Sequence, residues 1–83
     1  MINMKLFIEI SIGSFMISHG YDKNNKEIEE HFTVQGFSKK LIAVDRIKSL
    51  SEKYILTNYL DGRWIYWEYE EDYEFIKEKL LGL

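Results

Sequence analysis

Two runs of aromatic and β-branched residues, 54–59 and 64–69, lie on either side of the tetrapeptide Leu60-Asp61-Gly62-Arg63. Residues of these types favour extended strands. Asp-Gly between two such runs is a strong local signal for a hairpin, because a tight turn needs residues that accept positive φ. The sequence therefore predicts a β-hairpin here, and any fold of the chain must contain an antiparallel pair of strands.

The N-terminal segment alternates in the way that a half-buried strand does. Its apolar positions between 4 and 12 include Met4, Leu6, Ile8, Ile10 and Ile12. The period of two predicts a first strand over these residues. Gly13-Ser14 interrupts the pattern and residues 15–18 are again β-prone. We therefore predict a second, short strand that forms a hairpin with the first.

A polar loop and a third strand are predicted next. Residues 19–26 are rich in glycine, asparagine and charge, which is typical of a loop. Alternation resumes over residues 28–36 and predicts a strand that ends near Gly36. In that strand Phe32 and Val34 would face the core, whereas Glu30 would lie on the wrong face.

Two brief apolar runs, 41–44 and 47–50, are separated by Asp45-Arg46. Their length and spacing predict a strand, a tight bend and a second strand. A continuous helix over the same residues is the alternative, because short apolar runs do not distinguish strand from helix.

The C-terminal segment has the charge pattern of a helix. It opens with the carboxylates Glu70, Glu71, Asp72 and Glu74, and it ends with Lys77, Lys79 and Gly82. Acidic residues at the start of a helix and basic residues at its end both stabilise the helix dipole. The apolar spacing places one set of residues against the sheet: Tyr73, Ile76, Leu80 and Leu83.

These elements predict an α+β fold: a small antiparallel β-sheet of five to six strands, built from hairpins, with one C-terminal α-helix packed on it. The 83 residues are 46% hydrophobic, which is enough for one core, so we predict a single domain over residues 1–83. A chain this short buries little surface, and we expect a homo-oligomer.

The chain contains no cysteine, which excludes disulfides and thiolate metal sites. A reducing compartment is therefore expected, namely the cytoplasm, or the host cytoplasm for a phage-encoded protein. The alternating N-terminus is neither a signal-peptide core nor long enough to span a bilayer, so no membrane association is expected. Basic residues are concentrated in residues 38–63 and acidic residues in 64–83. These charges are also those of ordinary solvated surfaces.

Three short motifs in residues 41–80 resemble a known family: Val44-Asp45-Arg46-Ile47, Asp61-Gly62-Arg63 and Glu71-Asp72. Their order is similar to that in the small flagellar-operon FlbD family and related short bacterial proteins. The resemblance implies strands joined by an acidic turn, a glycine hairpin and a terminal helix, and it implies no catalytic residues. This chain departs from that pattern in its added N-terminal strands and its more aromatic hairpin.

No constellation of residues in the sequence predicts catalysis. His19 and His31 are too far apart for a metal site, and neighbouring Ser18 and His19 would point to opposite sides of a strand. The junction at residues 69–72 is acidic and lacks glycine, so it does not suit a phosphate. We therefore predict a non-enzyme with no cofactor and no metal.

Tyr59, Arg63, Trp64 and Tyr66 superficially fit single-stranded nucleic acid, because rings stack on bases and arginine contacts phosphate. The acidic C-terminal segment opposes such binding, so no nucleic-acid partner is expected.

The aromatic hairpin supplies the candidate site. If Ile65, Trp67 and Tyr69 face the core, Trp64 and Tyr66 face outward. Tryptophan, tyrosine and arginine are enriched at binding hot spots. The candidate partner-binding residues are Arg63, Trp64, Tyr66, Glu68, Glu70, Glu71, Asp72 and Glu74.

This set predicts a small non-catalytic interaction protein, an inhibitor or adaptor that binds a basic protein surface. The class includes phage-encoded anti-defence inhibitors of host nucleases. Another interpretation is that the first strand pair or a second copy of the chain covers the outward rings.

Two other functions fit the sequence. A homo-oligomer could sequester a small nucleotide-like ligand, with a ring stacked on the base and Lys39, Lys40, Arg46 or Arg63 on the phosphate. The family resemblance implies instead a FlbD-like regulatory protein.

Overall fold

The computed structural model describes residues 6–83, so the predicted strand start at Met4 lies outside the described residues. The elements are β1 (Phe7–Tyr21), β2 (Glu27–Phe32), β3 (Ser38–Ala43), β4 (Ile47–Leu50), β5 (Tyr54–Asn58), β6 (Trp64–Tyr69) and α1 (Tyr73–Leu81). All the strand pairs are antiparallel. A six-stranded antiparallel sheet with one C-terminal helix confirms the predicted α+β class.

The sheet is strongly curved. Its strand order is β2-β1-β6-β5-β4, and β3 pairs with the N-terminal half of β1. Four strand spacings, about 19 Å in a flat sheet, would separate β3 from β4. The turn Val44–Arg46 that joins these strands reaches at most about 14 Å. The sheet must therefore bend to bring its ends together, and the bend defines a concave inner face and a convex outer face.

The inner face carries the core. Its buried residues are Ile8, Ile10, Ile42, Ile55 and Tyr69, and Ile76 of α1 packs against them. The Tyr69 hydroxyl donates a hydrogen bond to the carbonyl oxygen of Ser51, so the buried ring has a partner for its polar atom. The helix is thus held by the fully buried Ile76, and the partly buried Leu80 also packs against the core.

The predicted hairpin between residues 4–12 and 15–18 is wrong, because β1 runs without a turn from Phe7 to Tyr21. Between Ile12 and Phe15 the pairing with β6 shifts by one residue, which is a β-bulge. The extra residue reverses the alternation, so Phe15 and Ile17 lie on the same face as Ile8 and Ile12. The break in the pattern therefore marks a bulge.

Gly13 is required at this bulge by close packing. A Cβ atom at this position would lie 2.9 Å from the Phe37 ring and 3.2 Å from the carbonyl oxygen of Gly36. Carbon atoms make favourable contacts only from about 3.5 Å. The glycine thus lets the segment that leads into β3 cross close to β1.

Three predicted boundaries in the N-terminal half are also wrong. The loop is shorter than residues 19–26, because β1 extends to Tyr21 and β2 begins at Glu27. Val34 lies beyond the end of β2 and is 47% exposed, so it does not face the core. Strand β3 begins at Ser38, three residues before the predicted start, because β1 supplies a partner for its polar residues.

The C-terminal half agrees closely with the sequence. Strand β4 has the predicted bounds, and the bend at Asp45-Arg46 is a turn of 3-10 helix. In the hairpin loop, Asp61 and Gly62 have φ of 58° and 72°, as the Asp-Gly pair predicts. Of the predicted helix face, Leu83 is exposed, because the helix ends at Leu81 and its periodicity no longer applies.

Candidate functional site

Strand β6 divides its side chains between the two faces. Ile65 and Tyr69 are buried on the inner face. Trp64 and Tyr66 lie on the outer face, where Trp64 is 40% exposed and Tyr66 is half-buried. Because residues directly opposite in a ladder share a face, Met16 on β1 joins Tyr66 there.

The outer face contains a groove of about 560 Å³. Four strands contribute to its lining, which includes Phe15 and Met16 from β1, Glu29, His31 and Phe32 from β2, Tyr54 from β5, and Tyr66 and Glu68 from β6. We call this set the outer groove. Its volume is within the about 300–1,000 Å³ of ordinary ligand pockets, and aromatic rings with Met16 supply its apolar surface.

Negative charge surrounds the hydroxyl of Tyr66. Burial raises the pKa of this phenol above its ordinary value, and Glu27, Tyr21 and Glu29 raise the pKa further. The phenol is protonated near neutral pH, so its hydroxyl is a hydrogen-bond donor as well as an acceptor.

Two local contacts fix the carboxylates that β2 brings to this face. The Ser18 hydroxyl donates a hydrogen bond of 2.6 Å to Glu27, and His31 Nε2 lies 3.0 Å from Glu29 Oε1. Ser18 is buried, so its bond to Glu27 holds the carboxylate against the sheet.

The lining of the outer groove contains carboxylates and no lysine or arginine of the described residues. One cation of the chain approaches a lining ring from outside, since Lys53 Nζ lies 5.8 Å from the centroid of Tyr54. The groove is therefore acidic and aromatic, a combination that favours cations through both charge and ring faces.

Arg63 does not take part in this groove. Its guanidinium lies 4.9 Å from the ring centroid of Tyr59, and its Nε donates to the carbonyl oxygen of Leu60. Asp61 lies 3.8 Å away as an exposed ion-pair partner. The arginine thus stabilises the hairpin loop, although the sequence grouped it with Trp64.

The structure divides the predicted acidic cluster. Glu68 lines the outer groove. Both carboxylate oxygens of Glu71 accept from the backbone N–H of Ser11, at 2.9 and 3.1 Å. This bond satisfies a backbone donor beside the bulge, so Glu71 acts in the fold.

The rest of the acidic cluster lies at the helix start. The Asp72 carbonyl oxygen accepts the first helical bonds, from Phe75 and Ile76. Glu74 forms an exposed ion pair of 3.7 Å with Lys77. Glu70 is exposed and contributes a backbone bond to Ser11. None of these three residues lines the outer groove as described.

The three predicted ligand-binding cations are also separated. Lys40 and Arg46 line a second cavity, of about 220 Å³, together with Tyr59 and Trp67. Lys39 pairs with Ser11 in the ladder and so points to the opposite face from Lys40.

Sequence reasoning missed Met16, Glu29, His31 and Tyr54 as parts of the outer groove. These residues come from three strands, and only the register of the sheet brings them beside Tyr66. The register depends on the bulge in β1, which the sequence pattern presents as a turn. No local signal in the sequence could have identified the set.

Within residues 6–83 no group of three histidines or carboxylates has the geometry of a metal site. None of the described helices has the length and hydrophobicity needed to cross a bilayer. Comparisons with known protein families, characterised proteins and solved structures find no match to this chain. The FlbD-like resemblance therefore stays a prediction.

Proposed function

We propose that this protein is a non-catalytic interaction module whose outer groove binds a basic segment of a protein partner. One observation carries the proposal: an aromatic groove of about 560 Å³ has carboxylates in its lining and no described lysine or arginine. A partner cation entering it would meet ring faces and negative charge together.

The geometry favours an arginine or lysine side chain on an extended segment. Tyr54 and Tyr66 supply ring faces, and Glu29 and Glu68 supply carboxylates on two different strands. A long side chain can place its methylenes against Met16 and the rings while its charged end reaches a carboxylate. Tyr66 adds a hydroxyl that can accept a bond from the same cation.

Trp64 extends this surface along β6. It lies opposite Ser18 and Asn58 in the ladders, on the same face as Tyr66. An exposed tryptophan beside a groove is a typical anchor of a protein interface. We therefore include Trp64, Tyr66 and Glu68 in the binding surface, and we assign inhibitor or adaptor action in the cytoplasm as its biological role.

The test is calorimetric titration with an extended peptide in which arginine alternates with glycine. We expect the variant Glu29→Gln with Glu68→Gln to weaken binding about tenfold or more, since each lost charge-assisted contact is worth about 1 kcal/mol or more. The matched control is Glu70→Gln with Glu78→Gln, which changes the net charge equally on exposed residues away from the groove.

Equal weakening by the two double variants would contradict the proposal, because it would show a general charge effect. Absence of peptide binding to the unaltered protein would also contradict it. Light scattering on the same samples reports whether the chain is a monomer or a homo-oligomer.

A further inference from the structure

The second cavity gathers positive charge from separate parts of the chain. Lys40 comes from β3 and Arg46 from the 3-10 turn, while Tyr59 and Trp67 come from the two sides of the aromatic hairpin. We call this set the cationic cavity. Residues of β3, β5 and β6 line it together.

The charge in this cavity is not neutralised by its own walls. No carboxylate of the described chain lines it, and neither Lys40 nor Arg46 forms an ion pair with a described residue. Lys40 Nζ lies 5.4 Å from the Trp67 ring centroid. One Arg46 nitrogen donates 2.9 Å to the carbonyl oxygen of Asn58, which orients the guanidinium and leaves further donors.

The aromatic walls are held in place as well. Arg63 lies over the ring of Tyr59, and the ring of Trp67 lies 4.7 Å from that of Phe15. Fixed rings lose little entropy when a ligand contacts them.

We propose that the cationic cavity binds a phosphate monoester joined to a planar ring. Lys40 and Arg46 supply the charge-assisted donors that a phosphate needs, and Tyr59 and Trp67 supply surface for the ring. The volume of about 220 Å³ lies below that of pockets for drug-sized ligands, so it suits one ring and one phosphate. A nucleoside monophosphate and a phosphorylated phenol share this chemistry.

This site shares no lining residue with the outer groove. Lys40 lies opposite Ile10 in the ladder, and Trp67 lies opposite Ile55, so both belong to the inner face. Failure of the peptide titration would therefore leave this proposal intact, and failure here would leave the outer groove intact.

The test follows the two indole N–H resonances of ¹⁵N-labelled protein, assigned with Trp64→Phe, during separate titrations with four probes: AMP, phenyl phosphate, adenosine and inorganic phosphate. We expect AMP or phenyl phosphate to move the Trp67 resonance, with inorganic phosphate at least tenfold weaker and adenosine without effect. Whichever of the two monoesters binds more tightly identifies the source of the phosphate.

Lys40→Met with Arg46→Gln should weaken the monoester at least tenfold, because it removes both cations and retains a donor at position 46. The matched control is Lys39→Met with Lys48→Gln, which removes equal charge outside the cavity. Equal binding of adenosine, movement of Trp64 alone, no movement of either indole, or equal weakening by both variants would overturn the proposal.

Discussion

The two faces of the sheet differ in how completely they bury their apolar residues. The inner face carries the completely buried Ile10 and Ile55, packed with Ile76 of the helix, which is 1% exposed, and it also carries the buried ring of Tyr69. The outer face carries rings beside carboxylates, and Tyr54 and Trp64 remain 37% and 40% exposed. Branched aliphatic residues fill a core efficiently, whereas amphipathic rings are suited to contacts that form and dissolve in water. The comparison separates the buried core from the surface proposed to bind a basic segment.

The largest expected effect is a difference in the free energy of unfolding between a substitution on the inner face and one on the outer face. Ile55→Ala should lower the free energy of unfolding by about 2–5 kcal/mol, because it leaves a cavity at a fully buried position. Tyr54→Ala, one residue away on the outer face, should lower the free energy of unfolding by about 1 kcal/mol or less. Urea denaturation measures both, and equal costs would show that the outer face also belongs to the core.

The bulge that aligns the inner face can be tested at Gly13. Gly13→Ala should destabilise the fold by about 1–3 kcal/mol, because its Cβ would lie 2.9 Å from the Phe37 ring. The same substitution in a Phe37→Ala background should cost clearly less. An unchanged cost in that background would show that Phe37 does not determine the need for glycine.

Glu71 tests whether an acidic residue of the predicted cluster serves the fold. Glu71→Gln should lower the free energy of unfolding by about 1 kcal/mol. Both carboxylate oxygens of Glu71 accept from the Ser11 N–H, and the amide of glutamine has only one oxygen that can accept. Glu70→Gln is the neighbouring control and should change the free energy of unfolding by less than about 0.5 kcal/mol. Denaturation curves that coincide for the two variants would contradict a structural role for Glu71.

The difference between the halves of the chain explains how much the sequence could predict. In the C-terminal half, the hairpin, the bend at Asp45 and the helix follow from local chemistry: Asp61-Gly62 accepts positive φ, and the acidic run suits a helix start. In the N-terminal half, either a bulge or a turn would interrupt the alternation in the same way. Only the pairing of Ile12 and Phe15 with β6 distinguishes them.

The same limit applies to the outer groove. Alternation along β6 predicts that Trp64, Tyr66 and Glu68 share a face, and the ladders place them so. Their neighbours Glu29 and His31 depend on how β2 aligns with β1, which is a long-range property. Composition and local pattern therefore predict part of the surface but not its shape.

The smallest expected effect compares two tyrosines. Burial raises the pKa of Tyr66 and Tyr69 above the ordinary value of 10.0, but Glu27 contributes only at Tyr66 on the outer face. Glu27→Gln should therefore lower the pKa of Tyr66 and leave that of Tyr69 unchanged. Ring resonances followed against pH measure both, and equal movement would contradict the assignment of Glu27 to the outer face.

The raised pKa values of Tyr66 and Tyr69 also predict how the free energy of unfolding depends on pH. The unfolded phenols ionise near their ordinary pKa of 10.0, whereas the folded phenols resist ionisation. The contribution to stability is complete below the unfolded pKa and is lost as the pH rises through the folded pKa. Urea midpoints should therefore fall above about pH 10, and a midpoint that rises there would contradict the direction of both shifts.

The central claim is that the outer face recognises a basic segment while the buried isoleucines of the inner face maintain the fold. The most direct measurement is a titration of ¹⁵N-labelled protein with the arginine–glycine peptide, followed at the indole N–H of the two tryptophans. Trp64 lies on the outer face and Trp67 on the inner face, so each reports one side of the sheet. We predict that the Trp64 resonance moves to saturation and moves further than that of Trp67, whose neighbour Phe15 also lines the outer groove. Movement of Trp67 alone, or of neither indole, would contradict the account.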